Sequence, residues 1–244
     1  MYYRIIHKTI SEEVPNIMQE EILRVSNLSY SYKDGDNERV IFDKTDCSFR
    51  SGCFYAITGD SGSGKTTFLY CLSGLDERYS GSILYQNKDI KTIKSDLYRK
   101  RAVSIIFQNY NLIPYLSPIE NVEIAMDITG SSTKYDRRTI IGLLERLGID
   151  QRKAYLKSSV LSGGEQQRTA IARSLATETP IILADEPTGN LDVNLSEEIV
   201  CLFKQLAHEY QKCVIMVTHN PVLAKEADVQ YQIDEITHKL VNGG

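Results

Sequence analysis

The sequence predicts an α/β fold, and three observations carry the prediction. The stretch FYAITGDSGSGKTTFLYCLSG, residues 54–74, passes from a short apolar run through a glycine-rich turn into a helical pattern. Two later apolar runs, Ile181–Ala184 and Cys213–Val217, have the length and composition of fully buried strands of a parallel sheet. Each of these runs stops abruptly at polar residues, Asp185-Glu186 in one and Thr218-His219 in the other. In open α/β sheets, ligand contacts gather at the carboxyl ends of such strands.

The chain has 244 residues, 42% of them hydrophobic, which suffices for one large domain or a core with a modest insertion. The net charge of -4 and pI near 5.7 give no basic footprint, so no nucleic-acid partner is expected. The five cysteines are scattered without C-x-x-C spacing and are expected to be small buried hydrophobes in a reducing compartment. No stretch is long and apolar enough to span a bilayer, and the opening MYYRIIHKTISEEVPN lacks the apolar centre of a signal peptide. The expectation is a cytosolic protein, or one held to a membrane through a partner.

Residues 1–17 read as an extension, with Met18 an alternative start, and the main domain is expected over 18–244. From Ile22 to Phe49, strand-like alternation surrounds a turn at Asp34-Gly35-Asp36-Asn37, which predicts a small antiparallel sheet. Tyr30 and Tyr32 lie on this region; Tyr32 could stack on a base, whereas packing is the commoner role for a strand tyrosine and the expected one for Tyr30.

Gly59, Gly64, Lys65 and Thr66 satisfy G-x-x-x-x-G-K-[ST], and the residue types explain themselves. Gly59, Gly62 and Gly64 let the backbone approach a polyphosphate and aim successive N–H groups at it where the helix begins. Lys65 supplies a mobile charge for the outer phosphates, and the Thr66 hydroxyl suits the magnesium ion that accompanies a nucleoside triphosphate. Without that function the pattern is a coincidence expected in about one chain in a hundred of this length.

Ser82–Tyr85 and Ala102–Phe107 are two further short strands, the second running into Gln108. Residues 109–160 change character: Pro114 and Pro118 punctuate a polar-aromatic loop, and apolar positions over Arg137–Leu147 recur at helical spacing before Gly148. This predicts a mainly helical insertion. Its cluster of Tyr110, Leu112, Ile113 and Tyr115 is either core or a groove for a partner. In LSGGEQQR, Ser162 and Glu165 have capping-box spacing, and Gly163 and Gly164 leave first-turn N–H groups uncovered where the helix dipole favours an anion. Asp185 suits magnesium, Glu186 suits activation of an attacking water, and His219 falls at the same sheet edge.

Taken together, these motifs resemble the ATP-binding subunit of an ABC transporter over nearly everything from Met18 onward. LSGGEQQR between a glutamine loop and an acidic strand end is the most specific piece. ADEPTGNLD with FQNYNLIPYLSPIENV is similar to the branch of lipoprotein-release, macrolide-export and cell-division ATPases. The resemblance implies a P-loop NTPase core of RecA-like type, with an antiparallel β-subdomain and an inserted helical subdomain. It implies that Tyr32 stacks adenine and that Gly59, Asp60, Ser61, Gly62, Ser63, Gly64, Lys65, Thr66 and Thr67 wrap the phosphates of ATP. Gln108 would sense Mg2+ and the attacking water, Asp185 would support the metal with Thr66, Glu186 would polarise the water, and His219 would touch the γ-phosphate. Ser162, Gly163 and Gly164 would serve the ATP of a second ATPase subunit, and Asp192 would lie in the loop that communicates between the two sites of a head-to-tail dimer. An integral membrane permease subunit is the implied partner, with the chain at the cytoplasmic face of the membrane. A soluble ABC-type ATPase and a regulator acting through a membrane partner are the competing readings.

Overall fold

The computed structural model describes residues 20–34, 37–130, 137–234 and 236–243. The extension at 1–17 and the tip of the first predicted turn, Gly35-Asp36, lie outside the described residues. Glu20–Gln108 and Thr179–Gly244 form one compact unit, and Asn109–Glu178 belong to another.

The first unit opens with the predicted antiparallel hairpin, β1 (Glu21–Asp34) and β2 (Asn37–Arg50), in a register that sets Val25 opposite Cys47 and Tyr32 opposite Arg39. Leu23 and Val25 are buried while Arg24 is exposed, the alternation of a strand with one face on the core. Leu28 and Tyr30 are buried as well, which strict alternation forbids. A register shift between Val25 and Leu28, with Asn27 at φ 51°, adds the residue that turns them inward. Gly81 (φ 85°) faces this bulge, and a Cβ there would come within 2.3 Å of the Asn27 carbonyl oxygen. Gly81 lies on β4 (Ser80–Tyr85), which pairs with β1 and carries the short β5 (Lys88–Asp89) on its other side.

The second sheet of this unit contains β3 (Phe54–Thr58), β6 (Val103–Ile106), β7 (Ile181–Asp185), β8 (Cys213–Val217), β9 (Val229–Asp234) and β10 (Lys239–Asn242), in the order β10-β9-β3-β8-β7-β6. All neighbours are parallel except β10, which runs antiparallel to β9. β7 and β8 are buried along their whole length, as continuous apolar runs in a sheet covered on both faces must be. Helices α1 (Lys65–Leu72) and α7 (Val193–His208) pack against this sheet, and α2 (Ser95–Arg101) leads into β6.

The second unit is helical, as expected. In α3 (Pro118–Thr129), Ser117 and Glu120 form a capping box and Gly130 (φ 65°) closes the end. α4 (Arg137–Arg146) turns Ile140 and Leu144 inward, and Gly148 (φ 76°) follows it as the stop. After α5 (Gln151–Ala154) comes α6 (Gly163–Leu175), which packs on α3 and α4. The unit therefore runs to Glu178, beyond the 160 at which the sequence pattern ends the insertion, because the helix that begins at LSGG shares its core with the helices before it.

Cys53, Cys71 and Cys213 are buried, in line with expectation, whereas Cys47 is half-buried and Cys201 is exposed on α7. Cys201 corrects the expectation of five buried thiols: the amphipathic α7 turns Ile199, Val200 and Phe203 inward, and position 201 falls on its outer face.

Candidate active site

Parallel strands deliver their carboxyl ends to one edge of a sheet, which is why residues distant in sequence converge here. β3 ends at Thr58 and passes into the loop 59–64, where Gly59, Gly62 and Gly64 all take positive φ. Gly64 (φ 103°) is the residue before α1, and a Cβ on it would lie 2.3 Å from Ile41 Cγ2. No side chain caps α1, so the amides of its first turn are left for a ligand. Lys65 is only 6% exposed, and its Nζ donates to the carbonyls of Gly59 at 2.8 Å and Asp60 at 2.6 Å. Its ammonium is thereby curled into the loop beside the amides a phosphate would meet.

The next position turns toward β7. Thr66 Oγ1 donates to Asp185 Oδ1 at 3.1 Å, so a hydroxyl and a carboxylate, both hard oxygen donors, sit together beside the loop. Asp185 is 3% exposed, and burial pushes its carboxyl above the usual range, opposed by the Thr66 hydrogen bond and Lys65. A buried carboxylate raised in this way gains from a cation, and the pair fits Mg2+, which takes few protein ligands.

Glu186 follows at φ 45°, a conformation sparsely populated by residues other than glycine. Its N–H donates to the Val217 carbonyl at 3.0 Å, which extends the ladder between β7 and β8 by one residue and fixes the turn. The carboxylate is held from two sides: Gln108 Nε2 donates to Oε2 at 3.2 Å, and His219 Nδ1 lies 3.2 Å from Oε1. Gln108 arrives from the end of β6 and His219 from the end of β8, so the three predicted catalytic residues meet. A cavity of about 390 Å³ opens beside Glu186 and His219, lined also by Thr188, Gly189, Leu191 and Ser196. Asp192, farther along the same loop, caps α7 by accepting from the Leu195 N–H at 2.9 Å.

Tyr32 comes to the loop from the other sheet, its hydroxyl 3.1 Å from Thr67 Oγ1. Beside it the sequence reading missed Arg39, whose Nη2 donates to the Gly62 carbonyl at 3.1 Å. The only signal for Arg39 is its place opposite Tyr32 in the hairpin register, which local pattern does not fix. Asp60, Ser61 and Ser63 lie in the loop as expected, and Ser63 Oγ is buried without a hydrogen-bond partner among the described residues.

Ser162, Gly163 and Gly164 belong to the helical unit, where they start α6. The capping box forms: Ser162 Oγ accepts from the Glu165 N–H, and Glu165 Oε2 accepts from the Ser162 N–H at 2.9 Å. Lys153 Nζ, 2.6 Å from Glu165 Oε1, holds that carboxyl below its usual range. Ser162 and Gly163 remain exposed at the positive end of the helix dipole.

The family model described as ABC transporter matches residues 42–189, more than half of the chain. The chain belongs to the ABC transporter family. Among the relatives of this ATP-binding subunit is YclH, an ABC transporter ATP-binding protein of Bacillus subtilis, 44% identical over 87% of this chain and 93% of its own length. The lipoprotein-releasing system ATP-binding protein LolD of Idiomarina loihiensis is 36% identical over 91% of this chain and 99% of its own length. The dimeric ATP-binding cassette MJ0796, in a post-hydrolysis state bound to ADP and Pi, superposes with a TM-score of 0.83 at 32% identity, covering 90% of this chain and 96% of that one. This ABC subunit is thus an ATPase with a P-loop NTPase core. Among the described residues no helix is long and apolar enough to cross a membrane.

Proposed function

We propose that the chain is the motor subunit of an ABC transporter in which Glu186 activates the water that attacks ATP. One observation carries this reading: the Glu186 carboxylate, at positive φ, lies between Gln108 Nε2 and His219 Nδ1, one residue from the Asp185–Thr66 pair. Gln108 and His219 orient the carboxylate, Lys65 and the amides of loop 59–64 hold the phosphates, and Tyr32 stacks on the adenine. Thr66, Asp185 and Gln108 would hold Mg2+, which supplies charge neutralisation between the outer phosphates.

Ser162, Gly163 and Gly164 act in trans in this proposal, on the ATP of a second copy bound head-to-tail. The resemblance to a dimeric cassette supports that arrangement, as does the exposed start of α6. A head-to-tail pair related by a two-fold axis completes two equivalent sites. The LolD relatives, named for a lipoprotein-releasing system, support an integral membrane partner and a place at the cytoplasmic face of the membrane. Tyr115, 69% exposed on the loop before α3, with the half-buried Leu112 and Ile113, offers that partner an apolar-aromatic surface.

The decisive experiment uses Glu186→Gln, which keeps shape and loses basicity. It should bind ATP, lose hydrolysis by about 10²–10⁴, and run as a dimer on a sizing column once Mg-ATP is added. Adding Ser162→Arg should return it to a monomer with ATP affinity unchanged. Hydrolysis at the parent rate in Glu186→Gln would move the base elsewhere, and loss of monomer affinity in Ser162→Arg would mean that the signature acts in cis.

A further inference from the structure

A stacking platform must be rigid before the base arrives, yet Tyr32 is 40% exposed and lies two residues from the turn of its hairpin. Its hydroxyl lies 3.1 Å from Thr67 Oγ1, a single-point contact that leaves the plane of the ring to be set elsewhere. The ring is held by other means. Tyr30 meets it edge-to-face, with centroids 5.0 Å apart and planes at 67°. The guanidinium carbon of Arg78 lies 5.8 Å from the centroid of Tyr32 and 5.8 Å from that of Tyr30.

Both neighbours are themselves fixed by one carboxylate. Tyr30, only 3% exposed, donates its hydroxyl to Asp76 Oδ2 at 2.6 Å. Arg78 Nη2 donates to the same oxygen at 2.6 Å, Arg78 Nε to Oδ1 at 3.0 Å, and the Arg78 backbone N–H to Oδ1 at 3.0 Å. A planar guanidinium forked onto a carboxylate has little freedom left, so the charge it presents to the two rings is held in place.

We propose that Asp76, Arg78 and Tyr30 form a brace that positions Tyr32 for the nucleotide base, with Arg78 a positioning residue that acts through the tyrosine ring. The proposal rests on the reading of Tyr32 as the base platform. The cation is drawn to the negative face of the aromatic ring, and a ring ordered in advance loses less freedom when the base stacks on it. At an exposed site such a contact changes affinity by about two- to fivefold.

Calorimetric titration of the full chain with Mg-ATP and with magnesium tripolyphosphate separates the base from the phosphates. Arg78→Ala and Tyr30→Phe should each weaken ATP by about two- to fivefold and leave tripolyphosphate binding unchanged, and Arg78→Lys should recover part of the loss. In a Tyr32→Ala background, Arg78→Ala should have no further effect. An equal further loss there would mean that Arg78 touches the nucleotide itself and would overturn the brace. Parallel loss of tripolyphosphate binding would overturn it too, by assigning the effect to the phosphate loop. If Tyr32→Ala weakens ATP while Arg78→Ala does not, the brace fails and the platform stands. If Tyr32→Ala leaves ATP binding unchanged, the platform itself is wrong. A single cooperative melting transition, even at a lower temperature than the parent's, would show that each variant is folded.

Discussion

Lys65 shows how a charged side chain can be buried without losing its use. Its ammonium is satisfied by the Gly59 and Asp60 carbonyls, and those same bonds keep it in the loop where a triphosphate would lie. Lys65→Ala should remove a charge-assisted contact of about 1.5–3 kcal/mol and weaken ATP at least about tenfold. Mg-ATP at about a hundredfold over its Kd should stabilise the parent by about 2.7 kcal/mol, and the variant far less. Equal thermal shifts in the two proteins would remove Lys65 from the site. Asp76 makes a second residue-scale prediction. The hydrogen bonds from Arg78, aided by that from Tyr30, hold its carboxyl well below the ordinary carboxylate value, against the opposing effect of burial. A depressed native pKa contributes stability that is full above about pH 5 and is lost as the pH falls through about 4 toward the native value. Denaturant titrations should therefore show the parent losing stability more steeply than Asp76→Asn below about pH 5, and parallel curves would exclude the linkage.

Among the elements, the loop before α3 is tied down in part by a buried amide, alongside Arg173, which donates to the Tyr110 and Asn111 carbonyls. Asn121, 1% exposed, accepts from the Ile113 N–H at 2.9 Å, and its Nδ2 lies 3.1 Å from both the Ile113 carbonyl and Ser158 Oγ. A helical side chain thus satisfies the backbone of an irregular segment, which must find partners wherever it is buried. Asn121→Ala would leave these groups unpaired at about 1–3 kcal/mol each. The melting temperature should drop by several degrees while the ATP affinity of the remaining folded protein holds. An unchanged melting temperature would mean that the loop is ordered by something else. The result also bears on Leu112 and Ile113 as a partner surface, because Ile113 is already committed through its backbone to this packing.

Over the whole molecule, the cysteines report global opening. Burial raises the thiol of Cys53 to about 11 and that of Cys71 to about 12, and pushes Cys213 well above its usual value. Thiolate is the reactive form, so these groups should be inert in the native state, and Cys201 should react alone and fast with a disulfide reagent at neutral pH. Cys201→Ser should abolish the fast phase, leaving slow reactions limited by unfolding. A fast phase surviving in Cys201→Ser would show that the edge of the antiparallel sheet at Cys47 opens readily. Mg-ATP should slow the remaining reactions further, since a ligand bound only to the native state lowers the open population.

Local chemistry determined much of this protein. The glycine spacing, the lysine and the hydroxyl of 59–66 announce a phosphate loop because few other arrangements require all of them together, and buried apolar runs ending in Asp185-Glu186 and Thr218-His219 mark strand ends with work to do. The capping box at Ser162 was legible because it spans four residues. Tertiary structure decided what depends on register and on strand order. The shift at Asn27 that turns Leu28 and Tyr30 inward, the placing of Arg39 opposite Tyr32, and the meeting of Gln108, Glu186 and His219 each need partners from other strands. The same holds for Asp76 and Arg78, which lie more than forty residues from the tyrosines they fix. The physical reason is range: a turn or cap is settled by contacts a few residues apart, whereas the aim of a side chain is settled by whichever strand the sheet sets beside it.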